Sequence, residues 1–359
     1  MKNSMKRDTV SAIIAVYNPN FCFFEKAVAS VLSQTSAVLE LVLVNDGGSE
    51  TFRSVLPDDH RIRVFSKQNE GVAATRNFAL KQCRGDYIAF LDQDDFWYPD
   101  KLQEQMAMIP VPGEPCMVTS PVDIIDHRGV FIQKKIKRIQ KVYFLKAYKE
   151  KVLLHLAEEN FIYSSTPLIH KAVFQKAGGF DSSVQPHDDW DMYLRVALAG
   201  FPIYCYRQRT LSVWRSHGAN ESHDFHGMLH SKCRVEKKLL RTVMEPSVRK
   251  LLEINLHLDY VERDHLLYKE FHYFCFRKLI FVHLWVLVKE YAVNRQLCKE
   301  LDNILKRRIR ILAYKSVRRY LLSFFIRQRC LSTVNNTAGE RLLSLFTQGV
   351  MLYSSSLWP

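Results

Sequence analysis

The chain has no Cys-x-x-Cys pair. Its eight cysteines, Cys22, Cys83, Cys116, Cys205, Cys233, Cys275, Cys298 and Cys330, are scattered. That spacing supports neither a zinc ribbon nor a dithiol redox motif. Free thiols in a reducing cytoplasm are the expectation. The sequence also lacks an apolar run of the ~20 residues that a membrane-spanning helix requires. Leu279 to Val288 is the most apolar late stretch, but it contains His283 and is flanked by charges. Lys2, Lys6 and Arg7 before the apolar run Val10 to Val16 imitate a signal peptide. The run is short, however, and ends in Tyr17-Asn18-Pro19-Asn20 without a small-residue cleavage site, so it reads as a first strand. No Gly-x-Gly-x-x-Gly opens a helix and no Walker loop occurs, which removes the dinucleotide-binding and P-loop classes. There is no internal repeat and no low-complexity stretch.

What is present is an ordinary globular composition carrying an uneven charge. The 359 residues are 47% hydrophobic and 25% charged, with a formal net charge of +14. Beyond Asp224 about 24 Lys and Arg face about 11 Asp and Glu, so nearly all of the excess is C-terminal. This asymmetry divides the chain into residues 1–222 and a basic, helical region, 223–359. The first part alternates strand and helix patterns. Apolar runs at Val10 to Val16, Leu39 to Val44, Ile62 to Phe65 and Tyr87 to Leu91 are separated by helical spacing at Phe23 to Leu32 and Gly71 to Leu80. Such alternation implies crossover connections and a mainly parallel sheet. Further on, Cys116 to Thr119, Val130 to Gln133 and Thr166 to Ile169 read as extended, and Leu145 to Ala157 and Asp189 to Ala199 as helical. In parallel sheets ligands bind beyond the carboxyl ends of the strands. Tyr17-Asn18, Asn45-Asp46 and Asp92-Gln93-Asp94-Asp95 all fall there and should converge.

The most informative segment is Gly85 to Asp95. Its first half reads as a buried strand, and three of its last four residues are carboxylates. In an extended chain Asp92 and Asp94 point the same way. A hard divalent cation neutralises such a pair, because Mg²⁺ binds through one or two carboxylates plus substrate phosphates. The alternative is a solvated turn, with Asp95 capping the following helix. Asp46, in Asn45-Asp46-Gly47-Gly48-Ser49, either makes a turn hydrogen bond or accepts from a nucleobase ring N–H. Arg76 is either a surface charge or a contact to a nucleotide, on a helix for which Asn69 offers a cap. In His187-Asp188-Asp189-Trp190-Asp191, Asp188 and Asp191 have the spacing of a capping pair. Asp189 then takes the first helical position, where a carboxylate is held ionised and can serve as a general base. His217 becomes a metal or phosphate ligand if its loop folds over the cleft.

These elements, in this order, resemble the family 2 glycosyltransferases of the GT-A fold. The matching residues are Val10 to Asn18, Val44 to Ser49, Asn69 to Asn77, Gly85 to Asp95 with Trp97, Gly178 to Asp181, His187 to Arg195 and Val213 to Asn220. The resemblance covers roughly residues 8 to 222. It implies an inverting, metal-dependent transfer of a sugar from a nucleotide-sugar donor. Carried across, Tyr17 and Asp46 hold the base, with Arg76 beside the nucleotide. Asp92 meets the ribose or sugar, and Asp94 ligates Mg²⁺ or Mn²⁺, with His217 as a further ligand. Asp189 is the base, or Asp188 in its place. Two departures from the family pattern stand out. Asp188-Asp189 replaces the frequent Glu-Asp, and Asp46-Gly47-Gly48-Ser49 is one residue longer than the usual Asp-Gly-Ser. The resemblance further implies a glycan or lipid-linked acceptor and a role in cell-surface polysaccharide synthesis, in the cytoplasm or at the inner face of the membrane.

The tail lies outside the resemblance. Ile309, Leu312, Ala313, Val317, Tyr320, Leu321 and Phe324 form a helical stripe with Arg308, Lys315 and Arg318 away from it. Such a helix either lies on an anionic membrane or packs on the catalytic domain. The late apolar helices also offer a homo-oligomer interface. A rival reading uses the basic tail for nonspecific nucleic-acid binding, but it leaves the clustered carboxylates unexplained. A transferase-like domain without activity is the third reading, and the full set of candidate catalytic residues argues against it.

Overall fold

A computed structural model gives the conformation of residues 8–36, 38–146, 152–246, 248–253, 255–256 and 259. The tail stripe from Ile309 to Phe324 and the apolar stretch from Leu279 lie outside these. The first four expected strands and the helices among them are present, in the order β1 (Val10–Val16), α1 (Phe21–Leu32), β2 (Glu40–Asp46), β3 (Ile62–Lys67), α2 (Val72–Gln82) and β4 (Tyr87–Phe90), followed by the short β5 (Phe96–Trp97). There follow α3 (Lys101–Ala107), β6 (Met117–Thr119), β7 (Val122–Asp126), α4 (Gln133–Lys146) and α5 (Val152–Glu158). The last are β8 (Leu168–His170), α6 (Lys171–Ala177), α7 (Asp188–Leu198), β9 (Ile203–Cys205), β10 (Ser212–Ser216) and α8 (Phe225–Leu240).

Seven strands form the main sheet in the order β3-β2-β1-β4-β8-β6-β9. β3, β2, β1 and β4 are mutually parallel, β8 is antiparallel to β4 and β6, and β9 is parallel to β6. Helices cover the parallel part, so β1 and β2 are buried along nearly their whole length and read as unbroken apolar runs. α1 supplies Phe24, Ala27, Val28 and Val31 to this core, one helical face. β2 begins on a fully buried carboxylate, Glu40. Burial alone raises its pKa, but hydrogen bonds from the Arg84 backbone, Ser11, Arg63 and the Arg84 side chain outweigh this and leave it below the usual range.

A second sheet, β5-β10-β7, sits at the carboxyl end of β4. β10 runs antiparallel to β5 and parallel to β7, with Ser216 opposite Asp126. Its role is to return the chain, more than a hundred residues later, to the segment following β4.

One expectation is corrected here. The strand near residue 130 is instead β7, Val122–Asp126, and only Phe131 makes an isolated bridge, to Ile125. Val130 and Phe131 are apolar but exposed, so the run lacks the burial that makes a strand of a sheet core. In the helix expected from Leu145 to Ala157, Leu145 and Lys146 are the end of α4 and Val152 to Ala157 lie in α5, with residues 147–151 outside those described. Among the described residues no helix is long and apolar enough to cross a membrane, and Cys22, Cys83, Cys116, Cys205 and Cys233 are free thiols.

Candidate active site

The carboxyl ends of β1, β2 and β4 carry the expected motifs to one edge of the sheet. Asp46, the last residue of β2, is nearly buried. Its Oδ1 accepts from Lys67 Nζ (2.7 Å) and the Glu70 N–H (3.0 Å), and its Oδ2 from the Gly71 N–H (2.8 Å). Burial pushes its pKa up, and these bonds, led by Lys67, overcome that and hold it low. Asp46 therefore ties β2 to the loop entering α2. That loop turns on Gly71 (φ +89°), where a Cβ would meet Gln185 Oε1 at 2.8 Å. Gly71, not Asn69, stands at the start of α2, and no side chain caps it. The Asn45 side chain closes the turn after β2 by bonding the Gly48 N–H and C=O, both at 2.9 Å.

Tyr17 is 50% exposed at the end of β1. Its backbone is fixed by Gln93, whose Oε1 accepts from the Tyr17 N–H (2.9 Å) while Nε2 donates to the Tyr17 carbonyl (3.1 Å). Gln93 thus couples the acidic segment to the neighbouring strand.

That segment is not extended. The Asp95 N–H bonds the Asp92 carbonyl (3.2 Å), so residues 92–95 form a turn. This corrects the expectation that Asp92 and Asp94 project side by side as on a strand. Asp95, fully buried, organises the turn. Its carboxylate accepts from Ser165 Oγ (2.6 Å) and the Arg215 N–H (2.8 Å), and burial with the charges of Asp94 and Asp92 raises its pKa well above the ordinary value. Ser165 Oγ also receives the Asp92 N–H (3.1 Å).

The turn sends Asp92 and Asp94 to different partners. Asp92 accepts from Ser164 and, at 2.7 Å, from Arg76 Nη2. Arg76 is buried and reaches Asp188 with its other amino group (Nη1, 3.2 Å) while stacking over Phe180. It therefore links the acidic turn to the start of α7. Desolvation opposes its charge, but Asp92, Asp188 and Asp189 together raise its pKa. On the other side, Asp94 Oδ2 lies 2.5 Å from His217 Nε2 and 3.4 Å from Asn220 Nδ2. The loop after β10 does fold onto the cleft. Burial and Asp92 raise the Asp94 pKa, with His217 opposing.

A carboxylate oxygen and an imidazole nitrogen facing one another fit a divalent cation, and the nitrogen suits Mn²⁺ better than Mg²⁺. In the present arrangement the Ala219 N–H donates to His217 Nδ1 (3.3 Å), which puts the ring proton on Nε2, toward Asp94. An ion would replace that proton, moving it to Nδ1 at the cost of one long hydrogen bond. Asp94 and His217 would hold the ion. Among the described residues one other group has metal-ligand spacing, the buried Cys233, Glu236 and Asp259, which the sequence reading did not single out.

At α7 the structure changes the assignments. The residue preceding the helix is His187, and Asp188 is its first residue. Asp188 does not cap; it is buried against Arg76. Asp191 does not reach back either, but bonds Arg195 (2.8 Å) and Lys238 (3.0 Å). Asp189, partly buried, accepts from the Trp190 N–H (2.6 Å) and sits 3.4 Å from Asn160 Nδ2. Burial, then the Asp188 charge, push its pKa up to about 7, with Arg76 opposing. The two neighbours thus differ: Asp188 is spent on a guanidinium, and Asp189 is not.

Sequence reasoning missed Gln93, Ser164, Ser165 and Asn160. Each is a neutral side chain acting through long-range hydrogen bonds, and no spacing rule marks it.

The fold is that of the GT-A glycosyltransferases. It is shared with a mannosyltransferase, PcManGT from Pyrobaculum calidifontis, solved with GDP-Man and Mn²⁺ (TM-score 0.55, 15% identity, 86% of each chain covered). The family model described as Glycosyl transferase family 2 matches residues 11–176, so this segment of the chain is similar to that family. Among curated relatives, an uncharacterized glycosyltransferase, RT0329 of Rickettsia typhi, is 29% identical over 212 residues, 56% of this chain and 63% of its own length. The putative teichuronic acid biosynthesis glycosyltransferase TuaG of Bacillus subtilis is 39% identical over 102 residues, 27% of this chain and 40% of its own. The chain spans less than two-thirds of the length of the curated relatives it matches.

Proposed function

We propose that the chain is an inverting, metal-dependent glycosyltransferase. It moves a sugar from a nucleoside-diphosphate sugar to a hydroxyl of a glycan or lipid-linked acceptor, in cell-surface polysaccharide synthesis at the inner face of the membrane. The observation that carries this is the division of labour across Arg76. On one side Asp94 and His217 bring a carboxylate oxygen and an imidazole nitrogen together at 2.5 Å; on the other Asp189 is a partly buried carboxylate that, among the described residues, has no ion pair of its own. The mannosyltransferase bound to GDP-Man and Mn²⁺ supports the donor class, and the teichuronic acid relative supports the acceptor class.

In this reading Tyr17 and Asp46 border the base, and Asp92 the ribose or sugar. The cation supplies charge neutralisation for the departing diphosphate. Asp189 takes the proton of the acceptor hydroxyl as its oxygen attacks the anomeric carbon. The bond from that carbon to the diphosphate breaks, and the nucleoside diphosphate leaves with the electron pair. Attack from the face opposite the leaving group inverts the centre. A base with a pKa of about 7 is ionised enough to work at neutral pH and basic enough to accept the proton.

Asp189→Asn tests the assignment. It should retain nucleotide binding and lose transfer by roughly a hundredfold or more; undiminished transfer would move the base to Asp188 or elsewhere. In the wild type, transfer should fall about tenfold per pH unit below 7, as Asp189 becomes protonated.

A further inference from the structure

Outside the cleft, one surface combines exposed apolar side chains with unopposed positive charge. β7 ends at Asp126, whose Oδ1 accepts from the N–H groups of Arg128 and Val130 (both 2.9 Å). This closes a firm turn that holds Val130 57% and Phe131 46% exposed. The Arg128 side chain is 72% exposed, with Asp126 as its carboxylate partner. α4 follows at once. Its sequence carries Lys134, Lys135, Lys137, Arg138, Lys141 and Lys146 and no acidic residue. Ile136 and Tyr143, seven residues apart, are buried, while Lys134, Lys135 and Lys137 are exposed. Among the described residues no carboxylate pairs with these three lysines. The inner face of α4 thus anchors the helix, and its first turns present cations beside two apolar side chains.

This pairing selects among polyanions. A duplex nucleic acid neutralises lysines but, with its bases stacked inside, gives Val130 and Phe131 no apolar phase to enter. An anionic bilayer supplies both phosphates and an acyl boundary. We infer that the turn at residues 126–131 and the first turns of α4 form a docking surface for an anionic membrane. The position is apt: Asp126 lies opposite Ser216 in the β7–β10 ladder, Lys135 Nζ bonds Ser216 Oγ (3.1 Å), and Ser216 precedes His217. Docking here brings a bilayer beside the metal end of the cleft. That consequence rests on the proposed transfer reading; the surface itself does not.

The test is co-sedimentation of the full chain with phosphatidylcholine vesicles, with and without about a third phosphatidylglycerol, at low salt. The wild type should bind the anionic vesicles only. Each basic residue contributes about 1 kcal/mol near such a surface, so Arg128→Gln, Lys134→Gln and Lys137→Gln together should weaken partitioning on the order of 100-fold. Val130→Ser with Phe131→Ser should also weaken vesicle binding, while leaving any binding to double-stranded DNA unchanged. Vesicle binding unaltered in both variants would overturn the proposal, placing the contact elsewhere, the basic tail included. Indifference of vesicle binding to the apolar pair would overturn it in favour of nonspecific polyanion binding. The residues changed are exposed and outside the cleft, so both variants should keep the wild-type melting temperature. Failure of the wild type to bind nucleotide would count against the transfer reading alone and leave the vesicle result to stand.

Discussion

Arg76 and Asp189 show how much the site depends on single charges. Arg76 compensates Asp92 and Asp188 at once. Arg76→Ala would leave a buried carboxylate unpaired, and such a loss typically costs about 3–5 kcal/mol; urea denaturation should show the unfolding free energy reduced by that amount. Asp189 works in the opposite sense. Its folded pKa, about 7, lies above the ordinary 3.8. The native state therefore favours its protonated form, and the stability this contributes is lost as pH rises through 7. Asp189→Asn mimics the protonated form. It should stabilise the protein at pH 8 by about 1–3 kcal/mol and lose that advantage near pH 4. Equal stability of the two proteins at both pH values would show that Asp189 ionises without strain. The sequence made these carboxylates visible, because they cluster after an apolar strand or at a helix start. It did not reveal their partners. The capping spacing of Asp188 and Asp191 is real, yet Arg76 and Lys238, distant in sequence, claim both residues.

At the scale of elements, the acidic turn is set by bonds from other parts of the chain. Asp95 is fixed by Ser165, on the approach to β8, and by the backbone of Arg215 in β10. Ser165→Ala would free both the Asp92 N–H and a buried oxygen of Asp95. The expected cost is about 1–3 kcal/mol, with a raised KM for the donor as the turn relaxes, and calorimetry with donor titration would measure both. Unchanged stability and KM would make Ser165 incidental. The parallel strands were legible because burial on both faces makes them continuous apolar runs. β7 was not. The run Val130-Phe131-Ile132, whose first two residues are exposed, imitates a strand, and only the tertiary environment shows that Val122–Asp126 is the buried one. The extended reading of Asp92 to Asp94 failed for the same reason, since the turn is imposed by residues far along the chain.

For the whole molecule, the order of motifs carried more information than any one of them. A mainly parallel sheet followed from strand–helix alternation, and the GT-A fold from the family resemblance of the ordered motifs; that fold brings His217 to Asp94 across 123 positions. The basic C-terminal region did not lend itself to the same reasoning, because helical periodicity and positive charge describe many partners equally. The central claim is that Asp94 and His217 seat a cation which holds a nucleoside diphosphate. A ligand present at a hundred times its Kd stabilises a fold by about 2.7 kcal/mol. The direct measurement is therefore the melting temperature of the full chain with Mn²⁺ and GDP or UDP, alone and together, for the wild type and Asp94→Ala. The account requires a rise of several degrees with nucleotide that needs Mn²⁺ and disappears in Asp94→Ala. A wild type that melts at the same temperature under every combination, or an Asp94→Ala protein that responds as the wild type does, would contradict it.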